Sequence, residues 1–216
     1  MGGQSIPMFD FYMAPYVKKS YIKNIASIVE IEENEAYANE VKEKLNGINK
    51  DNDSLLNKDR SVIVTIHSVC KDKDLSTIEK WIKLAKKRTD KDTYQAMEGL
   101  VHNLNTLNSR AGNQCPFSSI NFGMDTSEEG RMVSKNLMLA QEAGLGNEET
   151  PIFPILIFTV KSGYNYNPED PNYDLFKLAC KVSAKRLFPN FMSIENDWNG
   201  KYFKEGHPET IVSVIN

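Results

Sequence analysis

The stretch PIFPILIFTV, Pro151 to Val160, does most to limit what this chain can become. It is an almost unbroken apolar and β-branched run, the kind buried on both faces of a parallel sheet. A parallel strand needs a crossover from its neighbour, and the preceding residues supply one. Thr126 and Glu129 have the spacing of a capping box, Met132, Val133, Leu137 and Ala140 recur at helical spacing, and Gly144 suits the C′ position. Before that helix, Pro116 to Phe122 reads as a strand with Phe117, Ser119 and Asn121 on one face, alternating with Ile120 and Phe122. After the run, Asp170 with Pro171 can open a helix whose inner face holds Leu175, Leu178, Ala179 and Val182, with Lys185 and Arg186 near its negative end. Pro189 stops it, and Asn190 to Ile194 is a third strand. Alternating strands and helices imply an α/β fold, a parallel sheet with right-handed crossovers, either open or closed into a barrel.

Upstream, Phe11, Tyr12, Val17, Tyr21, Ile22 and Ile25 predict a helix over Phe9 to Ile31, after a Gly-Gly turn. Glu32 to Lys91 is dominated by Lys, Glu, Asp and Asn, with a β-rich interruption at Ser61 to Val69 and a helix at Leu75 to Lys87. Asp92 and Gln95 resemble another capping box, opening a helix from Thr93 to about Asn108 on Met97, Leu100, Val101, Leu104 and Leu107. Glu98, His102, Asn105 and Ser109 form its second, polar face, able to line a cavity.

The formal net charge of -3 gives no basic footprint for a nucleic-acid backbone. No run approaches the roughly 20 apolar residues that cross a bilayer, and the N-terminus has no secretory pattern, so a cytoplasmic location without membrane association is expected. Cys70, Cys115 and Cys180 are odd in number and widely spaced, which argues against a disulfide framework or a paired-cysteine zinc site. Reduced, mostly buried thiols are expected. His67, His102 and His207 are too scattered to propose a metal site.

Three long blocks carry a resemblance: TYQAMEGLVHNLNTLNSRAG, PFSSINFGMDTSEEGRMVSKNLMLAQEAGLGNEETPIFPI and NYNPEDPNYDLFKLACKVSAKRLFPNF, with GGQSIP near the start and KYFKEGHPET near the end. The chain resembles the catalytic subunit of the anaerobic, class III ribonucleoside-triphosphate reductases, a glycyl-radical enzyme family. Residues 1–31 and 93–210 carry the likeness, and 32–92 form a divergent helical region of the same partial barrel domain. The resemblance implies about one half of a ten-stranded α/β barrel of the pyruvate formate-lyase and ribonucleotide reductase type, with five parallel strands in each antiparallel half and a central finger loop. It also implies a C-terminal glycyl radical, installed by a radical S-adenosylmethionine activase with an iron-sulfur cluster. That radical would oxidise a finger-loop cysteine, which abstracts hydrogen from the 3′ position of a ribonucleoside triphosphate. Formate is the reductant in many members, a structural zinc lies outside these residues, and the intact enzyme is expected to be a homodimer.

The Met-Gly-Cys-Arg run that carries the radical cysteine in the family does not occur here, nor do the glycyl-radical segment and its four-cysteine zinc ribbon. An internal fragment, inactive alone and holding no cofactor or metal, is therefore expected. The alternative is a non-catalytic half-barrel remnant or split-gene product needing a complementary chain.

The candidate substrate-binding residues are His102, Asn105, Ser109, Arg110 and Gln114, which could offer donors to a triphosphate or ribose, and Ser118, Ser119 and Asn121 on the strand. Both serines cannot face the same way. Ser119 with Asn121 is the preferred pair for the pocket, and Ser118 the fallback if the register is reversed. Gly2, Gly3, Gln4 and Ser5 could place backbone amides near a phosphate. Cys115 is the tempting nucleophile beside this strand, but a buried cysteine more often acts as a small hydrophobe.

Overall fold

The computed structural model describes residues 3–48, 54–107, 115–196, 200–204, 207 and 210. Its elements run β1 (Gln4–Ile6), α1 (Phe9–Glu32), α2 (Glu35–Ile48), α3 (Asp59–Val69), α4 (Leu75–Thr106), β2 (Ser118–Phe122), α5 (Glu128–Ala143), β3 (Ile155–Val160), α6 (Tyr173–Arg186) and β4 (Asn190–Ser193). Two compact units divide it. One contains Met1–Met13, Tyr94–Thr126 and Gly130–Asn216; the other contains Ala14–Thr93 and Ser127–Glu129.

The first unit is built on a four-stranded parallel sheet in the order β1-β2-β3-β4. The α/β expectation holds, and the apolar run ends in β3 as the sequence implies. β1 lies where only a glycine turn was expected, and the Gln4 amide donates to the Phe117 carbonyl at 2.9 Å, so it is not free for a phosphate. One face of the sheet carries Phe122, Phe158 and Phe191, whose rings meet each other and Phe176 of α6. Edge-to-face contacts of this kind add about 0.5–1.5 kcal/mol each beyond area burial. Behind them Leu137 of α5, with Leu175, Ala179 and Val182 of α6, is buried.

Helix ends depart from the expected caps. Asp170 does not cap α6; Asn172 precedes it, and the Asp170 carboxylate instead accepts the Gly163, Tyr166 and Asn167 amides. Lys185 and Arg186 stand in the last turn of α6 as expected, and Arg186 also reaches a second helix end. It is buried, and its guanidinium donates to the carbonyls of Glu142 and Ala143 at the end of α5, beside Gly144, whose φ of +82° completes that stop. Cys180 lies on the exposed side of α6 and Cys115 is exposed too, so Cys70 alone of the three is buried, a correction to the expected thiols.

The second unit is helical. Ser61–Val69 is no strand: Val62, Ile66 and Val69 fall at steps of four and three, one buried helical stripe, and that burial overrides the β propensity of the branched residues. The expected break before Thr93 is also absent, because α4 runs through it. Asp92 accepts from Asn24 of α1 at 2.9 Å rather than capping, and Thr89 and Thr93 return their hydroxyls to carbonyls four residues back. Glu129 does not reach back to Thr126 as a capping box would. Its buried carboxylate accepts the amides of Leu55 at 2.7 Å and Leu56 at 3.1 Å. Among the described residues no helix is long and apolar enough to cross a membrane.

Candidate functional site

The sheet's other face differs from the aromatic one. Register places Ser5 beside Ser119 and Ile155, and two residues further along β2, Asn121 beside Ile157 and Asn190. Strands lie about 4.8 Å apart and rise about 3.3 Å per residue, so Ser5, Ser119 and Asn121 form a compact polar row. The row is dry. Ser119 and Asn121 are 3% and 1% exposed, and among the described residues the hydroxyls of Ser5 and Ser119 and the Asn121 Oδ1 have no hydrogen-bond partner. Asn121 Nδ2 has only the sulfur of Met192, at 4.0 Å.

The same face is apolar beside the row, where Ile155 and Ile157 flank Ser119 and Asn121, and toward the C-terminal ends of the strands. Met8, Met124, Ile157, Met192 and Ile194 are buried on it, with Phe11, Ile155, Tyr164 and Phe203 packed against them. The loops at these ends are fixed by buried polar groups. Asp10, fully buried, accepts the amides of Gly123 at 2.8 Å and Asp125 at 3.0 Å. Burial pushes its carboxyl above the usual aspartate range, and the amides of Asp125, Gly123 and Phe11 pull it back. Asn165 bridges the carbonyls of Gly123 and Thr159, and Asn172 those of Gly123 and Asp125. Arg131 donates to Asn172, to Asp174 at 2.8 Å and to the Pro171 carbonyl. Gly123, with φ of +110°, sits where a Cβ would strike Phe158 at 2.8 Å. This packed turn holds the end of β2.

The candidate residues separate accordingly. Ser119 and Asn121 share the polar row, while Ser118 points to the aromatic face, its buried hydroxyl also without a partner among the described residues. Asn105 does not line a cavity with a free amide. Its Nδ2 donates to Val101 and Phe153, and its Oδ1 accepts from Ile152 and Phe153, which exhausts its capacity. His102 is half-buried on α4. Ser109, Arg110 and Gln114 lie outside the described residues. The sequence points to Ser5 only through its backbone amide and gives no pattern for Asn165 or Asn172; an acidic residue in the first turn of α1 is the one hint of Asp10. Among the described residues no group of three His, Cys, Asp or Glu side chains could hold a metal ion.

A family model described as anaerobic ribonucleoside-triphosphate reductase matches residues 1–209. The chain belongs to this family. Similar relatives carry the same name, anaerobic ribonucleoside-triphosphate reductase. The Salmonella typhimurium protein is 38% identical over 112 residues, which is 51% of this chain and 16% of that protein. The Escherichia coli protein has the same identity and coverage. The enterobacteria phage T4 protein is 37% identical over 131 residues, 58% of this chain and 22% of its own length. The match thus spans about a sixth to a fifth of these reductases. Within the reductase family the fold seen here is a stretch of α/β structure on a parallel sheet.

Proposed function

We propose that this chain forms part of the substrate wall of an anaerobic ribonucleoside-triphosphate reductase, the enzyme class that makes 2′-deoxyribonucleoside triphosphates for DNA synthesis. One observation carries the reading: Ser5, Ser119 and Asn121 bury hydrogen-bonding atoms that have no partner among the described residues, side by side on one sheet face. Such groups are costly unless something satisfies them. A ribose or base edge supplies the matching donors and acceptors. The row is uncharged, which suits the sugar and base rather than the phosphates.

In this reading the four strands belong to about one half of a ten-stranded barrel, with the polar row facing inward. The parent chemistry uses a glycyl radical made with S-adenosylmethionine by an iron-sulfur activase, formate as reductant and a homodimeric enzyme with a structural zinc outside these residues. Met-Gly-Cys-Arg does not occur in the 216 residues, so we propose that they bind nucleotide without reducing it.

Calorimetric titration of the chain with cytidine and the other ribonucleosides tests the row. Binding should weaken about tenfold in Asn121→Ala, since one net hydrogen bond of about 1.4 kcal/mol is a factor of ten. A wild-type chain that binds no ribonucleoside would sink the proposal. Mixed with activase, S-adenosylmethionine, formate and ribonucleoside triphosphate, the chain should form no deoxynucleotide; measurable product would overturn the inactive reading.

A second reading, a half-barrel that needs a complementary chain before it binds anything, draws support from the edges of the sheet. Among the described strands, β1 pairs only with β2 and β4 only with β3. Nucleotide binding that arises only after a second polypeptide is added would favour it.

A further inference from the structure

The polar row can address a sugar and a base but has nothing to meet a triphosphate. The cation that could do so lies further along the same face. Ile155, Ile157 and Thr159 alternate onto the face of Ser119 and Asn121, and the next position in that alternation is Lys161, just past the end of β3. Its surroundings agree. The Lys161 ammonium stands 5.0 Å from the Tyr164 ring centre and 5.4 Å from that of Phe203, the two aromatic residues packed against the apolar cluster of that face.

Three observations suggest a cation held ready for an anion. First, its charge has no carboxylate partner among the described residues; Glu195, from the end of β4, directs both oxygens to Ser162. Among the described residues the only hydrogen bond of the ammonium is a long one, 3.4 Å, to the Ser162 carbonyl, although an ammonium carries three donors. Second, its backbone is fixed. The Lys161 amide donates to Asn165 Oδ1, and its carbonyl accepts from the amides of Tyr164 and Asn165. Asn165 is in turn buried and tied to Gly123 and Thr159. Third, the two rings restrict the ammonium without neutralising it, because an aromatic face attracts a cation through its quadrupole alone.

We propose that Lys161 contacts the phosphate chain of the nucleotide whose sugar and base meet Ser5, Ser119 and Asn121. The proposal rests on the reading of that row as a nucleotide wall. Lys161 follows Ile157, the neighbour of Asn121, by four residues, about 13 Å along the strand. A triphosphate chain and a lysine side chain together cover that span. The arrangement orients the ligand with its sugar over β2 and its phosphates toward the C-terminal end of β3, where ligands commonly sit in parallel α/β sheets.

Inorganic tripolyphosphate separates this inference from the reading beneath it, because it carries the phosphates and neither sugar nor base. The full chain should bind tripolyphosphate, with an affinity that falls as salt rises. Lys161→Gln should weaken that binding about tenfold, and Lys161→Arg should retain most of it, since the charge and the ring contacts persist. The same loss should be seen with ribonucleoside triphosphates and not with ribonucleosides. Tripolyphosphate binding that is absent in the wild type, or equal in wild type and Lys161→Gln, overturns the inference while leaving ribonucleoside binding by the row intact. Circular dichroism matching the wild type establishes that the glutamine variant is folded; should it be unfolded, failure of Lys161→Arg to bind tripolyphosphate overturns the inference in its place.

Discussion

Tyr21 buries its hydroxyl in the helical unit with no hydrogen-bond partner among the described residues. Burial first, then the charges of Asp59 and Glu129, push the phenol above its ordinary value. The unfolded chain gives up this proton near the usual tyrosine value of about 10, while the folded chain keeps it. Stability contributed here is therefore lost as pH rises above that value. Tyr21→Phe removes an unsatisfied group and its titration together. Chemical denaturation should find the variant as stable as the parent at neutral pH, or more stable by about 1 kcal/mol, with a weaker decline at alkaline pH. A clear loss at neutral pH would mean that the hydroxyl has an acceptor. At this scale the candidate site was half legible. Alternation along β2 put Ser119 with Asn121, because a strand's period fixes its faces. The role of Asn105 was not, since it depends on Ile152 and Phe153, 47 and 48 residues away in sequence.

Helix α4 is the element that differs most from its expected form. The sequence offers Asp92 as a cap, yet the helix passes through it and the Asp92 carboxylate serves Asn24. Proline at position 91 distinguishes the two arrangements. In a continuous helix Lys91→Pro removes an internal hydrogen bond and clashes with the preceding turn, costing about 3 kcal/mol, whereas before a true cap it would be tolerated. Thermal unfolding followed by circular dichroism should therefore give a midpoint several degrees lower. The same contest explains the other departures. A Thr-x-x-Glu or Asp-Pro pattern names residues able to cap, but the carboxylates of Glu129 and Asp170 found distant or loop amides instead. Strands β2, β3 and β4 were legible because their apolar runs are bounded by turn residues, while β1 has three residues and becomes a strand only through pairing with β2.

For the molecule as a whole, the sheet leaves strand edges at β1 and β4, which among the described residues pair with no further strand and so present backbone groups to any other chain. Ile6 on β1 is 39% exposed and Phe191 on β4 44% exposed, so these edges are also apolar. The isolated chain should self-associate as its concentration rises. Sedimentation velocity should detect this, and lysine at Ile6 and Asn190 should shift the population toward monomer, because a charged edge resists strand pairing. No concentration dependence in the parent would show that the edges are already protected. A different freedom follows from Glu129, which accepts two amides from the segment between α2 and α3. The carboxylate recognises main chain, not side chains. Leu55 and Leu56 offer it nothing that another residue type could not, save one: proline has no amide hydrogen to give. Any substitution at the two positions short of proline therefore leaves both hydrogen bonds available, while the leucine side chains, 1% and 4% exposed, contribute packing that a smaller residue would forfeit.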